Sequence, residues 1–360
     1  MSAVSPLDLA RSSAQLTADI CDIESVSGNE TALADAIDVA LNGLAHLELT
    51  RDGNAVVART HLGREHRVII AGHLDTVPVN HNLPSSMIVE NGTQWLSGRG
   101  TVDMKAGCAV ALKLAAELTE PRVDITWIWY DNEEVDAALN GLGRLSRTQP
   151  ELLAADFAIL GEPSNGTVEG GCNGTLRAEL RATGVRAHSA RSWTGENAIH
   201  KLNAALATLA SYQPATVSVD GLDYREGLNA VGIAGGVAGN VVPDEAVLTV
   251  NYRFAPSKST ADAETHLREM FPGYEIAIVD AAQGARPGLE ADIAAEFVAA
   301  VGSPAQPKYG WTDVARFSAL GIPAVNFGPG DPALAHTDDE RVDTAQITFV
   351  EDVLRRWLSA

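Results

Sequence analysis

His73 and Asp75 stand two residues apart at the end of an apolar run, Arg67-Val-Ile-Ile-Ala-Gly-His73-Leu-Asp75-Thr-Val-Pro78. On an extended backbone, residues i and i+2 share a face, so the carboxylate can orient the imidazole and leave its other nitrogen for a metal ion. Taken alone, the pair reads equally well as a hydrogen-bonded turn histidine. The same pattern recurs: Asp103 follows a short strand pattern over 93–97, Glu133 and Glu134 follow 123–130, Glu162 follows 157–160, and His336 sits in a late loop. Individually these read as solvated turn acids or a surface histidine. Jointly they set imidazoles and carboxylates at one sheet edge, where unneutralised charge would raise pKa values and oppose folding. Divalent cations remove that conflict, and two ions sharing one carboxylate is a recurrent arrangement for hydrolysis. Imidazole and carboxylate without thiols suit zinc first, with cobalt or manganese as substitutes.

The elements that must hold these groups follow from the apolar patterns. Val68, Ile69 and Ile70 are consecutive β-branched residues without polar alternation, as in a strand covered on both faces, and ligands bind at the carboxyl ends of such strands. Helical spacing covers 7–20 and 30–44, the second with a cap expected from Ser27-Gly-Asn29. Residues 46–60 read as a hairpin turning at Asp52-Gly53, 80–91 as polar and turn-rich, and 106–118 as a small-residue helix. From about Gly174 the pattern alternates polar and apolar, as half-exposed antiparallel strands do. Strands over 175–182, 230–235, 246–254 and 274–279 accompany helices over 197–212 and 260–270. After Ala285 the α/β pattern returns, with helices over 293–301, 314–320 and 347–358 and a strand over 324–327. The expected fold is therefore an α/β catalytic domain, 1–174 and 285–360, with a mixed, largely parallel sheet flanked by helices. Into it is inserted an α+β domain, 175–284, of two helices on an antiparallel sheet.

At 360 residues, two domains are the default expectation. A formal charge of -21 argues against nucleic-acid or anionic-membrane partners, which require basic surface. Cys21, Cys108 and Cys172 form no CxxC pattern, as expected in a reducing compartment. The stretch Met1 to Gln15 lacks a basic start and apolar core, and no apolar run approaches spanning length, so a cytoplasmic location is expected.

The motifs Gly72-His73-Leu-Asp75-Thr-Val-Pro78, Gly98-Arg-Gly-Thr-Val-Asp103-Met-Lys-Ala-Gly107, Glu133-Glu134, Gly161-Glu162-Pro163 and His336 occur in one order along the chain. In these the chain resembles the dinuclear zinc aminoacylase and carboxypeptidase family, which includes acetylornithine deacetylases and succinyl-diaminopimelate desuccinylases. The resemblance spans essentially the whole chain. It implies that His73 and Glu162 bind one zinc ion, Glu134 and His336 a second, and that Asp103 bridges the two. It implies further that Asp75 orients His73, and that Glu133 is the general base for the water between the metals. A cis Asp103-Met104 bond is also implied.

In the insert, Gly184-Val-Arg-Ala-His188-Ser-Ala-Arg191 resembles the family stretch whose histidine reaches across a homodimer to stabilise the oxyanion in the partner's site. By the same resemblance the insert is a dimerisation and lid domain, and Asn240 and Arg253 bind a substrate carboxylate. Cys172-Asn-Gly-Thr175, Ala187-His-Ser-Ala-Arg-Ser-Trp193, Tyr309-Gly-Trp-Thr-Asp313 and Asn326-Phe-Gly-Pro-Gly330 are most similar to the shorter, actinobacterial-type desuccinylases. The implied reaction is removal of succinate from N-succinyl-LL-2,6-diaminopimelate, in lysine and cell-wall precursor synthesis. Longer desuccinylases carry Arg-Arg-Gly where this chain has Cys172-Asn173-Gly174, so a cation is missing at Asn173, for which Arg177, Arg186 or Arg191 is a candidate replacement. Two other readings stay open: a related N-acyl amino acid deacylase or dipeptidase, and a metal-free binding protein that kept the fold.

Overall fold

A computed structural model describes residues 7–359; Met1–Pro6, part of the N-terminal stretch read above, lie outside them. The chain divides into two compact units. The first runs to Gly170, resumes over Pro287–Gln306 and again from Arg316; the second comprises Gly171–Arg286 and Pro307–Ala315.

The first unit is built on an eight-stranded sheet. Its order is Glu48–Asp52, Ala55–Arg59, Asp124–Tyr130, Arg67–His73, Phe157–Leu160, Ala324–Asn326, Glu169–Gly170 and Gln306–Pro307. The central four strands are mutually parallel, and antiparallel strands flank them. Val68, Ile69 and Ile70 are buried, as their unbroken apolar run requires. The helices Ser13–Cys21, Lys105–Glu117 and Thr344–Ser359 pack over one face, where Leu16, Ala109, Leu112, Val350 and Leu354 meet Val68, Ile70 and Trp127. Each large apolar side chain so buried contributes about 1.5–3 kcal/mol. Gly107 lets the Lys105–Glu117 helix start against the sheet edge: a Cβ there would stand 2.1 Å from the carbonyl oxygen of Gly161, the residue before Glu162.

Three details of this unit differ from expectation. Thr93–Ser97 is not in the main sheet but in a separate three-stranded antiparallel one with Ser86–Glu90 and Arg341–Asp343, so Asp103 is delivered by a turn rather than by the common sheet edge. Ser86–Glu90 is itself a strand within the segment read as turns; every residue in it is exposed, so it carries no burial alternation. The helix Thr31–Leu41 is preceded by Glu30, and no side chain caps it, in place of the cap expected from Ser27 to Asn29.

The second unit has a four-stranded antiparallel sheet, Gly227–Gly235, Glu245–Phe254, Gly174–Thr183 and Glu275–Ala282. Leu176, Ala178 and Leu180 alternate with exposed or half-exposed neighbours and meet Leu248, Val250 and Tyr252 on one face. Helices Asn203–Ser211 and Thr260–Met270 belong to this unit; the latter opens with a reciprocal cap between Ser259 and Asp262. The helix expected over 197–212 is interrupted at Leu202, giving Ala198–Lys201 and Asn203–Ser211. A small hairpin, Thr216–Val219 with Leu222–Arg225, turns on Asp220 and Gly221, both at positive φ. Among the described residues no helix is long and apolar enough to cross a membrane.

Candidate metal centre

Three adjacent parallel strands deliver side chains to one edge. His73 ends its strand opposite Tyr130, and on the other side Ala71 stands opposite Leu160. Glu133 and Glu134 lie just past Tyr130, and Glu162 just past Leu160, so three neighbouring strands supply His73, Glu134 and Glu162. Asp103 comes from the turn before the Lys105–Glu117 helix, where the Asp103-Met104 bond is cis. His336 follows a short helical turn, Pro332–Leu334, and its φ of 63° lies in the left-handed region that non-glycine residues rarely occupy.

These five residues form two groups, His73, Asp103 and Glu162, and Asp103, Glu134 and His336, each with donor atoms within 4.8 Å of one another. The Asp103 carboxylate belongs to both. Its Oδ1 is 3.0 Å from His73 Nε2, and its Oδ2 is 3.3 Å from His336 Nε2. His336 Nε2 also lies 2.8 Å from Glu134 Oε1. One oxygen toward each group is the arrangement a bridging carboxylate adopts between two cations.

The electrostatics point the same way. Burial opposes charge on His73, but hydrogen bonds to Asp103 and Asp75 outweigh it and hold its pKa well above the ordinary value. Hydrogen bonds to Asp103 and Glu134 raise His336 to about 10. Burial works to raise Asp103, yet the two imidazoles hold it well below the usual carboxylate range. The site thus demands positive charge at both imidazoles, and divalent ions on neutral imidazoles would satisfy the same demand. The donors fit zinc, cobalt or manganese: imidazole nitrogens and carboxylate oxygens, with the buried Cys108 thiol pushed up to about 12 by desolvation and so not a thiolate ligand.

Asp75 does more than its spacing suggested. His73 Nδ1 is 3.0 Å from the Asp75 backbone oxygen and 3.5 Å from Oδ1, so the ring is set chiefly by main chain. The Asp75 carboxylate accepts the backbone N–H of Glu133 on Oδ1 at 2.9 Å and that of Glu134 on Oδ2 at 3.0 Å, with Ser27 Oγ donating to Oδ2 at 2.8 Å. Burial alone would raise the Asp75 pKa, but His73 and the two N–H donors bring it to about 2. It therefore holds the turn carrying Glu133 and Glu134 as well as facing His73. Glu30, fully buried, supports the same turn by accepting the N–H of Asn132 at 3.3 Å. Sequence reasoning passed over Ser27 and Glu30 as partners of this turn, since a lone residue in a loop carries no periodic signal.

An Asp75→Asn variant tests this double role. An amide offers one acceptor oxygen for two backbone donors, and its NH2 would face the other N–H. We expect metal still to bind, with affinity or kcat lowered about 10- to 100-fold. Calorimetric zinc titration and steady-state kinetics check this; wild-type values in both would remove Asp75 from the site's machinery.

The remaining expected site residues lie in the second unit. His188 pairs opposite Val241, its Nδ1 accepts the N–H of Ala190 at 3.1 Å, and it is exposed. Asn240 is brought beside it, its carbonyl accepting the N–H of Ser189 at 2.8 Å. Arg253 sits on the Glu245–Phe254 strand; its Nε donates to Asn251 Oδ1 at 3.1 Å, and desolvation lowers its pKa. Of the arginines named as substitutes near Asn173, Arg186 is engaged by Asp244 at 2.8 Å, and Arg177 lies 3.9 Å from Asp280.

A sequence profile described as peptidase family M20/M25/M40 matches residues 69–360. The chain is 56% identical over 355 residues to a Mycobacterium tuberculosis protein whose name assigns it provisionally as a succinyl-diaminopimelate desuccinylase, covering 98% of this chain and 99% of that one. It is 49% identical over 364 residues to a Corynebacterium glutamicum succinyl-diaminopimelate desuccinylase, covering 98% of each. In fold it is similar to a crystal structure of a Staphylococcus aureus tripeptidase, with a TM-score of 0.78 and 20% identity over 98% of each chain.

Proposed function

Because the chain belongs to the peptidase family M20/M25/M40, we propose that its two donor groups hold two divalent ions, zinc in the first instance, and that the site hydrolyses an amide bond. The substrate on this reading is N-succinyl-LL-2,6-diaminopimelate, cleaved to succinate and LL-2,6-diaminopimelate. The observation that carries it is the shared Asp103 carboxylate, one oxygen to each group. Near-full-length likeness to proteins named as desuccinylases supports the substrate.

When bound, the ions supply Lewis acidity, lowering a water's pKa toward neutrality and polarising the amide carbonyl. Glu133, outside both donor groups but next to Glu134, takes a proton from the attacking water and returns it to the departing amine nitrogen. Asp75 holds Glu133 and Glu134 at the heights their tasks require, through the two backbone N–H bonds. His188 donates to the tetrahedral oxyanion, and Asn240 and Arg253 receive a substrate carboxylate, a guanidinium being suited to a bidentate contact.

A homodimer through the second unit is part of the same reading. The Gly227–Gly235 strand is a sheet edge exposed from Asn229 onward, with Val231 59% and Ile233 57% exposed. Residues 227–243 carry no charged side chain, although open edges ordinarily carry charge or proline against pairing. Light scattering should give a dimer, and Ile233→Lys should yield a monomer with most activity lost. A fully active monomer would remove the cross-subunit role of His188. A cytoplasmic setting accords with three free cysteines.

The test of function is a product assay of purified, zinc-loaded protein on N-succinyl-LL-2,6-diaminopimelate, N-acetylornithine, other N-acyl amino acids and dipeptides. The succinyl compound should be turned over fastest. Faster cleavage of any other member would overturn the substrate; no cleavage of any, with no metal taken up, would overturn the hydrolase reading.

A further inference from the structure

We propose that Arg99 and Glu340 are a positioning pair for the metal centre, and that they set the Asp103, Glu134 and His336 group in preference to the His73, Asp103 and Glu162 group. The proposal rests on the two-metal reading above.

The argument starts from strand register. Arg341–Asp343 pairs antiparallel with Thr93–Ser97, with Arg341 opposite Ser97, so Glu340 and Arg99 emerge side by side from the same end of that pair. The Gly98 N–H donates to the Glu340 carbonyl at 3.0 Å and seals the junction. Both side chains are almost wholly buried, Arg99 at 3% and Glu340 at 1% exposed. A buried ion pair contributes little net stability, because desolvation offsets the attraction, so what the pair bonds to is the informative feature.

The side-chain contacts of the pair go to the loops of Asp103 and His336, to the loop leaving Asp75, and to each other. Glu340 Oε1 accepts the backbone N–H of Val102 at 3.0 Å and of Asp103 at 3.1 Å. Glu340 Oε2 accepts from Arg99 Nη1 at 2.8 Å. The same Nη1 donates to the carbonyl of Thr337, the residue after His336, at 3.1 Å, and Arg99 Nε donates to the carbonyl of Pro78 at 3.2 Å. One charged pair thus joins the loops of Asp103 and His336 and the loop leaving Asp75. The acceptance of two consecutive N–H groups repeats what Asp75 does for Glu133 and Glu134.

The preference between groups follows from what else holds each ligand. His73 is the last residue of a central strand with ladder partners on both sides, and Glu162 follows another such strand. His336 stands in a turn at positive φ, a conformation its surroundings must impose. Loosening the Arg99 and Glu340 pair therefore frees His336 first, while His73 and Glu162 keep their strand supports and Asp103 keeps its 3.0 Å contact with His73.

Zinc titration by calorimetry of stripped wild type, Arg99→Lys, Glu340→Gln and His336→Ala tests this. Arg99→Lys keeps the charge but cannot reach three acceptors, and it carries the test if Glu340→Gln fails to fold. His336→Ala identifies the binding step that belongs to its group. We expect that step to weaken about 10- to 100-fold in the pair variants and the other to stay near wild type. Added zinc should restore kcat with KM unchanged. Equal weakening of both steps, or wild-type titrations throughout, would overturn the proposal alone. A wild type that takes up no zinc would overturn the two-metal reading and the proposal with it.

Discussion

Glu133→Gln should bind two metal ions as the wild type does and turn over substrate about a thousandfold more slowly, within the range that general acid–base catalysis supplies. The substitution is nearly isosteric. The backbone N–H that Asp75 Oδ1 accepts at 2.9 Å is untouched, so the turn keeps its place. What is lost, on the proposed mechanism, is the carboxylate that accepts a proton from water and hands it to the amine. KM should change little, since the amide removes no substrate contact that the mechanism assigns. The sharper form of the test compares neighbours: Glu134→Gln should lose metal, because Glu134 belongs to a donor group and Glu133 to neither. Elemental analysis beside kcat and KM reads both outcomes. Activity within about tenfold of wild type in Glu133→Gln would assign the proton transfer elsewhere.

Asp103→Ala should abolish stoichiometric metal uptake at both positions and reduce activity to background. Each donor group has three members, and Asp103 is the one they share, so a single truncation leaves two donors in each. It also removes the carboxylate 3.0 Å from His73 Nε2 and 3.3 Å from His336 Nε2, which keeps both imidazoles aimed at the centre. Removal of an unshared ligand, as in His336→Ala, should cost one ion and leave the other. Metal content of the two folded variants, read together, decides whether the groups are joined. One ion retained at wild-type affinity in Asp103→Ala would show that they act separately.

Much of this arrangement is legible in the chain because central strands announce themselves. Val68-Ile69-Ile70 and Phe157-Ala-Ile-Leu160 are apolar runs too short for helices, and the polar residue that ends each run must stand at the sheet edge. The alternation in the second unit is equally plain, since one face of its sheet packs under helices and the other does not. Less is legible where neither burial nor periodicity acts. Ser86–Glu90 is exposed at every residue and gives no alternation, and the two glycines of the helix Gly141–Thr148 mask its helical pattern. The Asp220-Gly221 hairpin has a recognisable turn pair, but its two strands are only four residues each and stand between longer elements. The buried carboxylates of Glu30 and Glu340 are a different case: their partners are backbone groups about 100 and 240 residues away, from Glu30 to Asn132 and from Glu340 to Val102 and Asp103, and nothing in local composition marks such pairing.

The acceptance of two consecutive N–H groups by Asp75 has a thermodynamic consequence for how the protein meets scarcity of metal. Because that carboxylate is not a member of either donor group, its bonds to Glu133 and Glu134 do not depend on an ion. The turn that carries them is held by protein bonds, so less chain entropy has to be surrendered there on loading. Loading then adds the ions' binding free energy to the native state without rebuilding this turn.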